Sequence, residues 1–386
     1  MTEDLARPLP LAQALMRRPS ITPTDAGALD VLGEALEQLG FATRRMPFEE
    51  VDNLYARYGT EGPVFLFAGH TDVVPPGAEE DWSYPPFDAH LDQDGVLWGR
   101  GASDMKGALA AMVAACAQAI EAGEVKGSIA FLITGDEEGP ALNGTKKVAA
   151  ALHEEGERYD HVLVGEPSNP HRLGEVIKSG RRGSLNGRIT VKGRQGHVAY
   201  PERAENPIPP LMDLLGRLQG RVLDEGRPPF PPSNLEITSI DVGNPTCNVI
   251  PAKAEAQFNI RFNIAHTGDS LLRWIEDQAA AVDLDFDGEI TLDLWVPGEA
   301  FLTPAGAFTA LLQDAVEAET GERPILSTSG GTSDARFLKD YAPVAEFGLV
   351  GATIHQVDEN ARAEDIDALA RIYRRVLQLY FRDPPA

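Results

Sequence analysis

Four segments far apart in the chain carry residue types that bind metal ions: His70-Thr71-Asp72, Asp104 ahead of Met105-Lys106-Gly107, Asp136-Glu137-Glu138 together with Glu166, and His355. Two imidazoles and several carboxylates are the ligand set of a two-zinc hydrolase centre. Zinc takes imidazole nitrogen and carboxylate oxygen at about 2.0–2.2 Å, whereas magnesium or calcium is held almost wholly by oxygen. Two metals about 3.5–4 Å apart need a bridging carboxylate, and Asp104 is the natural candidate. Another carboxylate must stay off the metals to take a proton from the attacking water. The adjacent Glu137 and Glu138 can divide these tasks, one as base and one as ligand. Seen alone, Asp-Glu-Glu is ordinarily a solvated loop and His-x-Asp a surface pair; their joint position after apolar runs carries the reading.

Those runs predict the elements that position the residues. Apolar stretches at 64–68, 128–134, 161–164 and 344–350 have strand length, and helical patterns at 108–122 and 145–153 separate the first three. Continuous rather than alternating apolar strands, divided by helices, indicate a parallel sheet covered on both faces, and ligands gather at the carboxyl ends of such strands. His70, Asp72, Glu137, Glu138, Glu166 and His355 would all emerge there. From residue 183 the rhythm changes to a strand at 184–191, a helix at 207–223, strands at 235–242 and 254–264, a helix at 270–282 and a strand at 290–296. That βαββαβ order is the ferredoxin-like unit. Helices at 304–320 and 363–381 and a glycine-rich turn at 329–332 then restore the α/β pattern. The expected architecture is an α/β catalytic domain with a mostly parallel sheet flanked by helices, built from 1–182 and 297–386, and interrupted by a ferredoxin-like domain at 183–296.

Composition narrows the function. With 386 residues the chain is long for a single core, which favours two domains. It carries 34 basic against 59 acidic residues, a net charge of -25, which repels phosphate backbones and anionic lipid. No nucleic-acid or membrane partner is therefore expected. Its first residues lack an apolar leader, and no run approaches the roughly 18–20 apolar residues of a membrane span, so a cytoplasmic location is expected. The two cysteines, Cys116 and Cys247, provide neither a disulfide framework nor a thiolate cage. An anionic substrate would need local cations; Lys178, Arg181, Arg182 and Arg261 stand out, and an arginine fork binds a carboxylate bidentately. His197 follows a Gly-Arg-Gln-Gly turn from which a side chain can reach an active site, while His90, His153, His161, His171 and His266 lie in polar or loop surroundings.

The segments GHTDVVPPG (69–77), GRGASDMKGALAAM (99–112), TGDEEG (134–139), GEP (165–167), IKSGRRGSLNG (177–187), GRQGHVAYP (193–201), NVIP (248–251), NIRF (259–262), STSGGTSDARF (327–337) and GATIHQVDE (351–359) resemble the M20 family of zinc amidohydrolases over most of the chain. The resemblance implies two zinc ions per subunit, with cobalt or manganese as substitutes. It makes Asp104 the bridge, His70 and Glu166 the ligands of one metal, and Glu138 and His355 those of the other. Glu137 matches the general acid/base and Asp72 the carboxylate that orients His70. His197 matches an oxyanion-stabilising histidine supplied by the partner subunit of a homodimer, whose contacts the inserted domain would make. Arg181 and Arg261 match carboxylate-binding arginines, with Lys178, Asn248, Ser329, Gly330, Gly331 and Thr332 around the ligand. Within the family, IKSGRRGS, NIRF and STSGGTSDARF point to members that remove a succinyl group from an amino acid; Gly351 departs from an asparagine that some of these carry. The alternatives are an acetylornithine deacetylase, aminoacylase or carboxypeptidase on the same centre, and a non-catalytic binding member.

Overall fold

The computed structural model describes residues 2–282 and 285–385. The chain divides into two compact units, one of Met1–Gly180, Thr303–Ser327 and Ser333–Ala386, the other of Arg181–Leu302 with Thr328–Thr332.

The first unit is built on an eight-stranded sheet in the order Ala42–Arg45, Asn53–Tyr58, Ser128–Thr134, Val64–His70, His161–Val164, Val344–Glu346, Val176–Lys178 and Ile325–Ser327. Its four central strands pair in parallel, and antiparallel pairs join them to the flanks. The strands Val64–His70, Ser128–Thr134 and His161–Val164 are buried at every residue, as continuous apolar runs require. The helix Gly107–Glu121 is apolar nearly all round and buried to match. Its many alanines let it pack closely against Pro8–Met16 and the amphipathic helix Ala363–Arg382. The two antiparallel strands at 42–58 and the helices before residue 40 were not among the expected elements.

The second unit is a four-stranded antiparallel sheet in the order Asn234–Asp241, Lys253–Phe262, Gly183–Lys192, Glu289–Gly298. Two helices, Ile208–Gln219 and Gly268–Ala280, complete the βαββαβ order. Alternate residues Ala254, Ala256, Phe258, Ile260 and Phe262 turn inward to one core with Leu214 and Ile275, so a period of two along the strand meets a period of 3.6 along each helix. The expected helix over 207–223 stops at Gln219, where Gly220 follows. Thr267 begins the other helix by accepting from the Ser270 N–H at 3.2 Å in a capping box. Among the described residues no helix is long and apolar enough to cross a membrane.

One expected strand is shorter than its sequence suggested. The apolar run over 344–350 is a strand only at Val344–Glu346. Beyond it the backbone leaves the ladder, because side chains of another loop take its polar groups: Asn169 Nδ2 donates to the Gly348 carbonyl at 2.7 Å and Gly348 N–H donates to Ser168 Oγ at 3.3 Å. A Cβ on Gly348 would lie 2.2 Å from the Gly165 carbonyl and 2.5 Å from that of Glu166, both rigid backbone atoms. Gly348→Ala should therefore destabilise the protein by about 1–3 kcal/mol, measured by denaturant unfolding; an unchanged midpoint would show that this packing is looser than described.

Candidate metal centre

Parallel register brings the site-bearing turns together. His70 ends its strand opposite Thr134, and Thr71 N–H donates to the Thr134 carbonyl at 2.9 Å. Asp72 then accepts from the backbone N–H groups of Glu137 at 3.2 Å and Glu138 at 3.0 Å, so the first turn sets the path of the second. Asp136 Oδ2 accepts from Leu142 and Asn143 N–H, both at 2.9 Å, and closes that turn. Gly165 N–H donates to the Ala68 carbonyl at 3.1 Å, which places Glu166 alongside. Asp104 lies in an irregular turn, Ala102–Lys106, that leads into the helix Gly107–Glu121. His355 comes from a loop rather than directly from a strand end, with left-handed backbone at φ 60°. Few non-glycine residues take that conformation unless the surroundings impose it.

These side chains converge. His70 Nε2 is 3.1 Å from Asp104 Oδ1 and 3.6 Å from Glu166 Oε1. On the other side His355 Nε2 is 3.0 Å from Glu138 Oε1 and 3.4 Å from Asp104 Oδ2. The two oxygens of Asp104 thus face one imidazole each, which is the disposition of a bridge. His70, Glu137 and Glu166 also offer three donor atoms within 4.8 Å of one another. His70 Nδ1 lies 2.8 Å from the Asp72 carbonyl, an acceptor only, so Nδ1 carries the proton and Nε2 keeps its lone pair for a metal. Asp72 Oδ1 is farther from that nitrogen, at 3.6 Å. Around a tetrahedral metal with bonds of about 2.0–2.2 Å, donor atoms stand about 3.3–3.6 Å apart. The 3.6 Å and 3.4 Å separations fall within that frame and the 3.1 Å and 3.0 Å ones are shorter, at hydrogen-bond length, while the donors are the nitrogen and oxygen mixture that zinc accepts.

Electrostatics favour bound cations. His70, Asp72, Asp104 and Glu166 are buried, whereas His355 is exposed and forms the open side. Burial drives Glu137 well above the usual carboxylate range, helped by the charge of Glu166. Asp72 is pushed up to about 6 by burial, against the nearby His70 charge. Burial also opposes ionisation of Asp104, but hydrogen bonds from His355 and His70 hold it below its usual range. His355 is raised to about 10 by its hydrogen bonds to Asp104 and Glu138, and His70 is raised well above its usual value by Asp104 and the neighbouring acids despite burial.

The remaining expected residues fall as follows. Lys178 ends a strand of the first unit. His197, Arg181, Arg261, Asn248, Ser329, Gly330, Gly331 and Thr332 belong to the second. There Arg181 Nη1 donates to the Gly331 carbonyl at 3.0 Å, and Gly330, at φ 109°, leaves room for the guanidinium; a Cβ would sit 2.8 Å from that nitrogen. Arg261 is half-buried in the strand Lys253–Phe262 and held down in pKa by burial and by Arg182. Asn248 is exposed, and its carbonyl accepts from Val198 N–H at 3.2 Å. His197 is exposed, and its Nδ1 accepts from Ala199 N–H at 3.0 Å, leaving Nε2 to carry a proton outward. Sequence reasoning passed over Asp334, whose buried charge helps to raise Glu137, and the buried pair Arg100 and Glu359. All three lie inside recognisable motifs, but nothing local marks them as buried.

Comparison with known proteins shows the family. Peptidase family M20/M25/M40 matches residues 66–379. The chain is 70% identical over 386 residues to a succinyl-diaminopimelate desuccinylase from Maricaulis maris, covering 100% of this chain and 99% of the relative. Its fold is similar to an M20 family metallo-carboxypeptidase from Sulfolobus solfataricus, with a TM-score of 0.77 at 17% identity over 97% of this chain and 99% of that one. It is also similar to a dinuclear metal-binding M20 peptidase from Bacillus subtilis, with a TM-score of 0.73 at 15% identity over 98% of this chain and 99% of that one.

Because the neighbouring carboxylates raise the proton affinity of both imidazoles, metal loading competes with protons at these side chains. Calorimetric titration of the metal-free chain with zinc, in buffers of different ionisation enthalpy at pH 7, should show net release of protons, and binding should weaken as pH falls. Proton-neutral binding would contradict the assigned contacts. The sign for stability follows. A raised histidine pKa stabilises the fold fully below its unfolded value of 6.5, and that contribution is lost as pH rises through about 10 for His355. The unfolding midpoint of the metal-free chain should accordingly fall between these pH values, and bound metal should remove the trend.

Proposed function

This chain belongs to peptidase family M20/M25/M40, and within it we propose that the enzyme hydrolyses N-succinyl-LL-2,6-diaminopimelate to LL-2,6-diaminopimelate and succinate, a step of lysine and diaminopimelate biosynthesis. The observation that carries the hydrolytic reading is Asp104, with one carboxylate oxygen against His70 and the other against His355. Full-length identity of 70% to a relative of that specificity supports the choice of acyl group.

In this reading His70, Asp104 and Glu166 would hold one metal, and Asp104, Glu138 and His355 would hold the other. Zinc suits these donors, with cobalt or manganese as substitutes. When bound, the pair supplies Lewis acidity and makes water a nucleophile at neutral pH. Glu137 accepts the proton of the attacking water on its carboxylate and later delivers it to the leaving amine nitrogen. Its burial beside Glu166 suits it to hold a proton between those events. Asp72 keeps Glu137 and Glu138 in place through their backbone N–H groups. His197 donates its Nε2 proton to the developing oxyanion, acting in the site of the partner subunit of a homodimer formed through the inserted domain. Arg181 and Arg261 take the substrate carboxylates, with Lys178, Asn248, Ser329, Gly330, Gly331 and Thr332 as further contacts. The enzyme is cytoplasmic in this reading, as its substrate is a biosynthetic intermediate.

Amine release should be lost on chelation, return with zinc, and be faster from the succinylated substrate than from N-acetylornithine. Preference for the acetyl substrate would keep the chemistry and change the acyl group, and inactivity of the zinc-loaded chain on both would sink the assignment. Glu137→Gln should retain its metals and lose about 10²–10⁴-fold in kcat. Mixing His197→Ala with Glu137→Ala chains should restore partial activity; no recovery despite demonstrated subunit exchange would place His197 outside the partner's site.

A further inference from the structure

We propose that Glu359 is a positioning residue that sets the Asp104 carboxylate for metal binding, an inference that rests on the two-metal reading above. Glu359 is fully buried and touches neither an imidazole nor a catalytic carboxylate through any described hydrogen bond. Its Oε1 accepts from the N–H groups of Ser103 and Asp104, both at 3.0 Å. Its Oε2 accepts from Gly101 N–H at 3.0 Å and from Arg100 Nη1 at 2.8 Å. One carboxylate therefore holds the turn that presents Asp104.

The ladder delivers it there. Asn360–Arg362 pairs antiparallel with Val96–Trp98, and Gly99 N–H donates to the Glu359 carbonyl at 2.9 Å, which fixes the register between the two loops. Arg100 extends the tie. Its Nη1 also donates to the Gln356 carbonyl at 3.2 Å, next to His355, and its Nη2 to the Pro75 carbonyl at 3.4 Å, in the loop after Asp72; the guanidinium lies 5.2 Å from the Trp82 ring. The loops bearing Asp72, Asp104 and His355 thus meet on one buried ion pair. Two of these loops bring Asp104 Oδ2 and His355 Nε2 to 3.4 Å.

A carboxylate is required because all four partners are donors. An amide in its place accepts through one oxygen only and turns its N–H₂ toward two donors, which pushes the turn away. Loss of such an outer partner typically weakens metal binding by about 10–100-fold.

The test is a titration of the metal-free full-length chain with zinc against a chromophoric chelator, with the visible spectrum of the cobalt form as a second readout. Wild type should take up two metals, and Glu359→Gln should bind them about 10–100-fold more weakly with a shifted cobalt band. A purely structural role would lower the unfolding midpoint while leaving the affinity and spectrum of the folded chain unchanged, and that result overturns the proposal. Should Glu359→Gln fail to fold, Arg100→Lys carries the test: it keeps the three backbone donors, loses the fork and should weaken binding by about 3- to 10-fold. Affinity within twofold of wild type there overturns the clamp as well. A wild-type chain that binds no metal would instead overturn the two-metal reading, and the clamp with it.

Discussion

Acidic side chains crowd one end of the first unit's sheet, and the architecture around them answers the cost of keeping so many carboxylates close together and out of water. Asp72, Asp104, Asp136, Glu166 and Glu359 are buried there, with Glu137 and Glu138 at their edge. Like charges in a poorly solvated site raise one another's pKa, and a carboxylate without partners would take up a proton instead of serving as a ligand. Each of these acids is handled separately. Asp72 and Asp136 accept backbone N–H groups, Glu359 has Arg100 and three N–H groups, and Asp104 is held ionised by two imidazoles. A pair of divalent cations would neutralise the remainder.

This division separates groups that hold the site from groups free to react. Backbone donors are already committed to Asp72, Asp136 and Glu359, so these acids shape loops. Glu137 is instead governed by burial and by the charge of Glu166, and its proton affinity rises. The same residue type therefore meets different electrostatic surroundings according to which donors lie around it.

Precision in the loops comes from the rigid layer beneath them. The parallel ladder sets His70 opposite Thr134 and Ala68 opposite Val164, so the turns that follow leave the sheet at fixed positions. Close backbone approach then fixes the turns. Gly348 lies against the carbonyls of Gly165 and Glu166, where no side chain fits, and the His355 loop is anchored through Asn169 and Ser168. In the second unit Gly330 does the same for Arg181, although the sequence there shows only a glycine-rich turn.

Much of this was legible in the residues themselves. The strands at 128–134 and 161–164 occur at the expected bounds because a wholly buried strand leaves an uninterrupted apolar run, and the inserted βαββαβ order follows from the change between periods of two and 3.6. The ligand types were visible because metal chemistry restricts them to a few side chains. Other features were not. The run at 344–350 looked like one strand, yet side-chain hydrogen bonds from a distant loop end it at Glu346, and apolar character alone cannot distinguish a ladder from a buried irregular segment. Glu359 and Arg100 were not singled out at all, since their burial depends on three loops meeting. Sequence by itself determined the residue types and the periodic elements, which are properties of side chains and their near neighbours; the tertiary structure alone decided which acids are buried together and which donors each one receives, because those partners come from distant segments.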